Sequence, residues 1–252
     1  MSWQFMFSAI ESLRSSASQS ETIDLNSNAP ACAILGCIAL EAFSNEIPSL
    51  TDSFISNVKK DYQIESLSSK QIESEFGINW NICKKIADIK NEKYNSFYDR
   101  YKDHLIKEMQ ISQPEFIQEL TYLRDLRNAL VHYRLCDAET VVGEDGVIKF
   151  YQEPPEVFNH IKSKKVKNWP VIASDVEENS PWTKRISTNA MAIWSLKLII
   201  DSIVYILDSI SPGKYKDSII KPYKARDKSF ENVFRKGEHD IQHTESGIFD
   251  NK

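Results

Sequence analysis

The chain has 252 residues, of which 41% are hydrophobic and 27% charged, enough to bury a substantial core. Only 7 glycines weigh against an all-β barrel or sandwich, which needs many tight turns. A formal net charge of −5 excludes a globally basic nucleic-acid binder, but not a local basic cleft, because the field depends on where the charges sit.

The N-terminal residues read as a short amphipathic helix over about 2–15. Their start carries no basic residue and no long apolar run, so a secretory signal is not expected. A Ser- and Thr-rich linker follows. Asn28 can then cap a second helix, with Pro30 in the first turn where a missing N–H is harmless. Ala31, Ile34, Leu35, Ile38, Leu40 and Phe43 make this helix apolar on most sides, as suits the centre of a bundle. Pro48 is expected to end it.

From Leu50 to Met109 the pattern predicts shorter helices, clearest over Tyr94–Met109. Ser112-Gln-Pro-Glu115 then predicts a capping box at the head of a long helix running to about Arg134. Beyond it, Glu139–Tyr151 alternates and contains Asp145-Gly146, a β-hairpin signal. A short helix near Pro155–Ile161 and an irregular lysine-rich loop ending at Trp169-Pro170 come next. The last long helix is expected to begin near Ser187. Its segment Ala190–Ile210 is apolar enough to suggest a membrane span, but it carries Lys197, Asp201 and Asp208. These three fall on one side of a helical wheel, while Ile193, Leu196, Ile200, Ile203, Leu207 and Ile210 line the other. That is the pattern of a buried amphipathic helix, and no membrane association is expected. After Pro212 the sequence turns polar and charged.

The fold expected is all-α in the main, a helical bundle with a small β-hairpin insertion between the last two long helices. The domain spans 1–211 with the insertion at about 138–182, and 212–252 form a charged, partly disordered C-terminal extension. Cys32, Cys37, Cys83 and Cys136 form no CxxC pair and have no His at zinc-ligand spacing. They read as reduced core thiols, which places the chain in the cytoplasm, and no metal or other cofactor is implied.

Chemistry concentrates in Arg127-Asn128-Ala129-Leu130-Val131-His132. An imidazole moves protons near neutral pH, and a guanidinium holds non-bridging phosphate oxygens with its planar fork. On an ideal wheel of about 100° per residue, Arg127 falls within about 20° of Phe116, inside the stripe of Phe116, Leu120, Leu123, Leu126, Leu130 and Tyr133. It must snorkel, pair with an acid, or line a cleft. His132 lies about 140° from Arg127, while Asn128 and His132, four apart, share a face. Either the helix loosens near His132 or a partner helix supplies the other wall. The plain alternative is a structural ion pair at Arg127 and an exposed His132 favoured by the helix dipole.

The stretch Leu123–Arg134 resembles the signature helix of the HEPN superfamily. Its members carry an Arg, commonly followed by Asn, Asp or His, and then a His four to six residues beyond the Arg; Arg127, Asn128 and His132 match. A softer likeness to the family lies in Ile38-Ala-Leu-Glu41-Ala-Phe-Ser-Asn45-Glu-Ile47. The resemblance implies a small helical bundle that homodimerises with its motifs facing a shared cleft. It also implies a metal-independent endoribonuclease, of the kind found in toxin–antitoxin and phage-defence systems, or a non-catalytic nucleotide- or protein-binding module or scaffold dimer of the same fold. In the catalytic case His132 moves protons for 2′-OH attack, Arg127 stabilises the phosphorane-like transition state and Asn128 orients the imidazole or the phosphate. The Gly-Ser and Asp-x-Asp of a nucleotidyltransferase antitoxin are missing, so any antitoxin is a separate chain.

Glu41 and Asn45 are supporting residues, with Glu41 either a buried partner for Arg127 or part of the site. Lys162, Lys164, Lys165, Lys167, Lys184 and Arg185 are the candidates for contacting RNA phosphates, or form a solvated surface. His104, His160, His239 and His243 show no recognisable companions in the sequence.

Overall fold

The structure, a computed structural model, describes residues 2–17, 27–61, 68–94, 96–132, 139–142, 148–151, 154–166, 169–173 and 180–224. Helices dominate. They are α1 (Ser2–Ala17), α2 (Ala29–Asp61), α3 (Ser69–Phe76), α4 (Trp80–Asp88), α5 (Phe97–Asp99), α6 (Ile117–Val131), α7 (Val157–Ile161), α8 (Trp182–Arg185), α9 (Asn189–Asp208) and α10 (Lys214–Lys224). A 3₁₀ turn, Ile89–Asn91, follows α4, and α5 continues into a π-helical segment, Arg100–Ile106. The expected mainly α architecture is what the chain adopts.

Among the described residues the β content is two small antiparallel ribbons. β1 (Glu139–Val142) pairs antiparallel with β2 (Ile148–Tyr151) in the register Glu139↔Tyr151, a hairpin where the alternating pattern predicted one. The Asp145-Gly146 turn lies outside the described residues. The lysine-rich segment is not irregular: β3 (Lys165–Val166) pairs with β4 (Trp169–Pro170), extended by Val171 N–H donating to Lys164 O at 3.0 Å. Pro170 is tolerated because so short a ribbon has only edges.

Pro48 does not end α2. Its ring removes the N–H that would bond Ser44 O, a cost of about 3 kcal/mol in a helix interior. Beyond it the helix buries Phe54, Ile55 and Val58, each 5–7% exposed. At roughly 1.5–3 kcal/mol per buried apolar side chain, their burial outweighs the proline penalty. Hydroxyls of the same stretch bond back to the helix, Ser49 Oγ to Asn45 O at 3.2 Å and Thr51 Oγ1 to Ile47 O at 2.8 Å.

The capping box at Ser112 is absent as well. Ser112 Oγ lies 3.1 Å from Tyr205 Oη, which donates to Ser112 O at 2.6 Å. With that hydroxyl engaged elsewhere, α6 opens later, at Ile117, whose N–H takes Pro114 O at 3.1 Å. Residues 133 and 134, expected at its end, lie outside the described residues.

The chain forms two compact units. The first comprises Met1–Gln4, Ile38–Ile117 and Ile199–Gly237, the second Phe5–Cys37, Gln118–Leu198 and Glu238–Lys252. In the first unit Phe54 meets Phe76 and Tyr215 edge-on, with ring centroids 5.7 and 5.3 Å apart. Tyr215 and Ile219 are fully buried, so the segment after Pro212 begins with a packed helix, α10. Residues 225–252 lie outside the described residues. In the second unit Leu120, Leu123 and Leu126 of α6 are fully buried, as are Met6, Ala9, Leu13, Cys32, Ile161 and Ile186.

α9 follows its wheel in part. Ile193, Leu196, Ile200, Ile203, Leu207 and Ile210 are buried and Lys197 and Asp208 exposed. Asp201, however, is only half-exposed, and Leu198, Ile199, Ser202 and Ile206 are buried too, so the helix is enclosed on most sides. Thr188 Oγ1 accepts Met191 N–H at 2.9 Å to cap the start. α2 and α9 are each long and apolar enough to cross a membrane; 78% of the apolar window of α9 is buried inside the protein. Cys32, Cys37 and Cys83 are buried. Cys136 lies outside the described residues.

Candidate functional site

The leucine stripe of α6 fixes the motif by burying one face of the helix and leaving its C-terminal turn open. His132 is exposed, and its neighbour Val131 is 48% exposed, high for a large apolar residue. His132 N–H donates to Asn128 O at 3.0 Å. The helix therefore does not loosen before the imidazole, which excludes the first of the two ways to bring Arg127 and His132 together.

Arg127 is half-buried, as its place in the apolar stripe requires. Its Nη1 donates to Asn128 Oδ1 at 3.1 Å. Its Nε is buried and has no hydrogen-bond partner among the described residues. A buried donor left in this way costs about 1–3 kcal/mol. Asn128 is thus held by the arginine and not by the imidazole. No acid pairs with Arg127 among the described residues.

Glu41 and Asn45 belong to the first unit, where the cation they face is Arg100. Asn45 Oδ1 accepts from Arg100 Nη1, and the Glu41 carboxylate lies close enough to favour the charged guanidinium. Both α2 residues are exposed, so Glu41 is not the buried acid considered from sequence.

Among the expected phosphate-contacting cations, Lys162, Lys165 and Lys184 are exposed. Lys164 is taken: its Nζ bonds Glu119 Oε1 at 2.7 Å, while Trp194 Nε1 donates to Glu119 Oε2 at 2.7 Å. Burial alone raises the Glu119 carboxyl, but the two hydrogen bonds and the lysine charge outweigh it and hold the group below its ordinary range. Arg185 Cζ sits 4.8 Å over the Phe158 ring, and its Nε is buried without a partner among the described residues. Lys167 lies outside the described residues. Among the described residues no three His, Cys, Asp or Glu side chains gather as metal ligands.

Two histidines have companions the sequence did not reveal. His160 stacks on Tyr122, with centroids 4.8 Å apart and planes 6° from parallel. His104 Nδ1 lies 3.2 Å from Glu92 Oε2, and its ring meets Tyr94 edge-on at 4.3 Å. The readable signal was Arg100-Tyr-Lys-Asp-His104, since residues four apart share a helix face. Glu92 and Tyr94 come from a preceding loop that no periodicity marks. His239 and His243 lie outside the described residues.

No family model, no curated protein and no solved structure matches the chain.

Proposed function

We propose that the chain is a HEPN-like, metal-independent endoribonuclease working in the cytoplasm as a homodimer, in toxin–antitoxin or phage-defence biology. The observation that carries this reading is the state of the α6 end. Asn128 and the exposed His132 share its open face, and Arg127 beside them has a buried Nε without a partner among the described residues. No acid pairs with the half-buried Arg127 among the described residues, and a phosphate is the anion its guanidinium suits with charge-assisted bonds.

In this reading His132 takes the proton from a ribose 2′-OH as that oxygen attacks the adjacent phosphorus. The P–O5′ bond breaks and a solvent water protonates the departing oxygen, leaving a 2′,3′-cyclic phosphate. Arg127 stabilises charge growing on the non-bridging oxygens. DNA lacks the 2′-OH and is not cut. Lys162, Lys165 and Lys184, all exposed, are free to meet the backbone. The test is cleavage of a labelled RNA in excess chelator by wild type, His132→Ala and Arg127→Ala. Loss of cleavage in both variants is expected; unaltered cleavage in both overturns the assignment.

One observation favours a second reading, a non-catalytic nucleotide- or protein-binding module or scaffold dimer of the same fold. In an intact α6 the Arg127 and His132 side chains leave the axis about 140° apart, so one helix alone does not assemble the site. RNA binding without cleavage by any version supports this reading.

A further inference from the structure

Within the first unit, a cleft of about 440 Å³ is lined by Glu41 and Asn45 of α2, by Glu92, Lys93 and Tyr94, and by Arg100. Its size falls in the roughly 300–1,000 Å³ range of small-molecule sites. Ser96 builds one wall by capping α5, its Oγ accepting Asp99 N–H at 3.2 Å, which sets Arg100 at the head of the π-helical segment. Such segments recur at functional sites.

The Arg100 guanidinium is held on several sides. Its Cζ lies over the Tyr94 ring, 4.1 Å from the centroid. Nη1 donates to Asn45 Oδ1, and Nη2 to Glu92 O at 3.2 Å. Tyr94 Oη is fixed in turn, 3.1 Å from Glu92 Oε2 and 3.2 Å from Ile89 O. Burial and the Glu92 carboxylate push the Tyr94 phenol up to about 12, so it stays a neutral platform. Among the described residues no carboxylate comes within ion-pair distance of Arg100. The guanidinium is gripped by neutral oxygens and a π face, a rigid flat group rather than half of a salt bridge.

Charge decides what fits against it. Two carboxylates, Glu41 and Glu92, offset the two cations Arg100 and Lys93. The cleft has no net positive field to gather a phosphate. A planar heterocycle meets no such penalty, because bases stack on guanidinium planes. Glu41 accepts an N–H from its edge. Asn45, whose Oδ1 is occupied by Arg100, still offers Nδ2 hydrogens to a neighbouring acceptor. A donor beside an acceptor is what the edge of a nucleobase presents.

We propose that this cleft is a nucleobase subsite, in which the base lies against Arg100 and its edge is read by Glu41 and Asn45. The base comes either from a free nucleoside or from single-stranded RNA. The proposal uses the first unit alone and stands whether or not the chain cuts RNA.

Calorimetry on the full chain tests it with adenosine, cytidine, ribose 5-phosphate and inorganic phosphate. A short oligodeoxynucleotide, which lacks the 2′-OH, is compared with an abasic strand of the same length. Nucleosides are expected to bind, and ribose 5-phosphate and phosphate to show no heat. A preference for the base-bearing strand over the abasic one assigns the base to a nucleic acid; nucleoside binding without that preference assigns it to a free nucleoside. Glu41→Gln, at an exposed position, weakens binding about tenfold by removing a charge-assisted acceptor. Arg100→Lys keeps the charge, loses the flat face and weakens it about as much. Equal binding of ribose 5-phosphate overturns the proposal, as does binding unchanged in both variants or no binding by any nucleoside or strand. Circular dichroism of each variant separates a lost subsite from a lost fold.

Discussion

The backbone N–H of His132 donates to the carbonyl of Asn128 at 3.0 Å, so α6 keeps its helical bonding up to the imidazole. Regular geometry sends the Arg127 and His132 side chains off about 140° apart. A catalytic site containing both then draws one from each of two copies. Arg127→Ala and His132→Ala are each expected to be inactive alone. After unfolding and refolding together they form mixed dimers in which one of the two composite sites has both residues intact. Cleavage should return to about a quarter of the wild-type rate, as random pairing in a twofold dimer requires. No recovery on mixing, with both variants folded and dimeric, rules out a site shared in this way.

Glu119 gathers Lys164 and Trp194 from different elements of the second unit, each at 2.7 Å. Glu119→Ala removes the common acceptor of two bonds and is expected to destabilise the protein by about 2 kcal/mol in urea unfolding. The pH dependence has a definite sign. The carboxyl titrates lower folded than unfolded, so its contribution is fully present above the unfolded value of about 4.5 and lost as pH falls through the folded one. Wild type should lose stability from about pH 4.5 downward. Glu119→Gln should show a flatter acid limb, and an unchanged limb contradicts the assignment.

Features carried by local periodicity were legible in the sequence: the α9 stripe from Ile193 to Ile210, the buried leucines of α6 and the pairing of β1 with β2 all follow from spacing. Features decided by distant partners were not. Pro48 reads as a stop because its local penalty is plain, while the burial of Phe54, Ile55 and Val58 that overrides it is a tertiary effect. Ser112 reads as a cap, but Tyr205, 93 residues away, claims its hydroxyl. In the candidate site, the wheel placed Arg127 inside the apolar stripe, where it is half-buried, and His132 about 140° round from it, where it is exposed. It could not show that Asn128 is engaged by Arg127, or that Glu41 and Asn45 serve Arg100.

Thr51 Oγ1 and Tyr215 Oη lie 2.8 Å apart in the core of the first unit, and Thr51 Oγ1 also donates to Ile47 O at 2.8 Å. The threonine proton is therefore committed to the helix, and the tyrosine donates to the threonine. Tyr215→Phe leaves Thr51 satisfied and should cost about 1 kcal/mol. Thr51→Val strands a buried phenol and should cost about 1–3 kcal/mol. Because the second change makes the first nearly free, the double variant should lose clearly less than the sum of the two. Strict additivity in a double-mutant cycle of urea midpoints contradicts this donor order.

Gly77 ends α3 in the left-handed region at φ 71°, and its N–H closes the helix onto Glu73 O at 2.9 Å. The fold also brings the backbone after α9 against it: a Cβ built at Gly77 falls 2.5 Å from Pro212 O and 3.2 Å from Gly213 Cα. Both the dihedral and the space therefore require glycine here. A left-handed alanine alone costs roughly 1–2 kcal/mol, and the close atoms are main chain that no rotamer change relieves. Gly77→Ala is expected to lower stability by about 2 kcal/mol or more, enough to depress Tm by several degrees. Gly77→Asn tolerates the dihedral but not the space, so it should rescue only part of the loss. A Gly77→Ala variant that melts with the wild type shows that the turn before α10 does not sit against α3 as described.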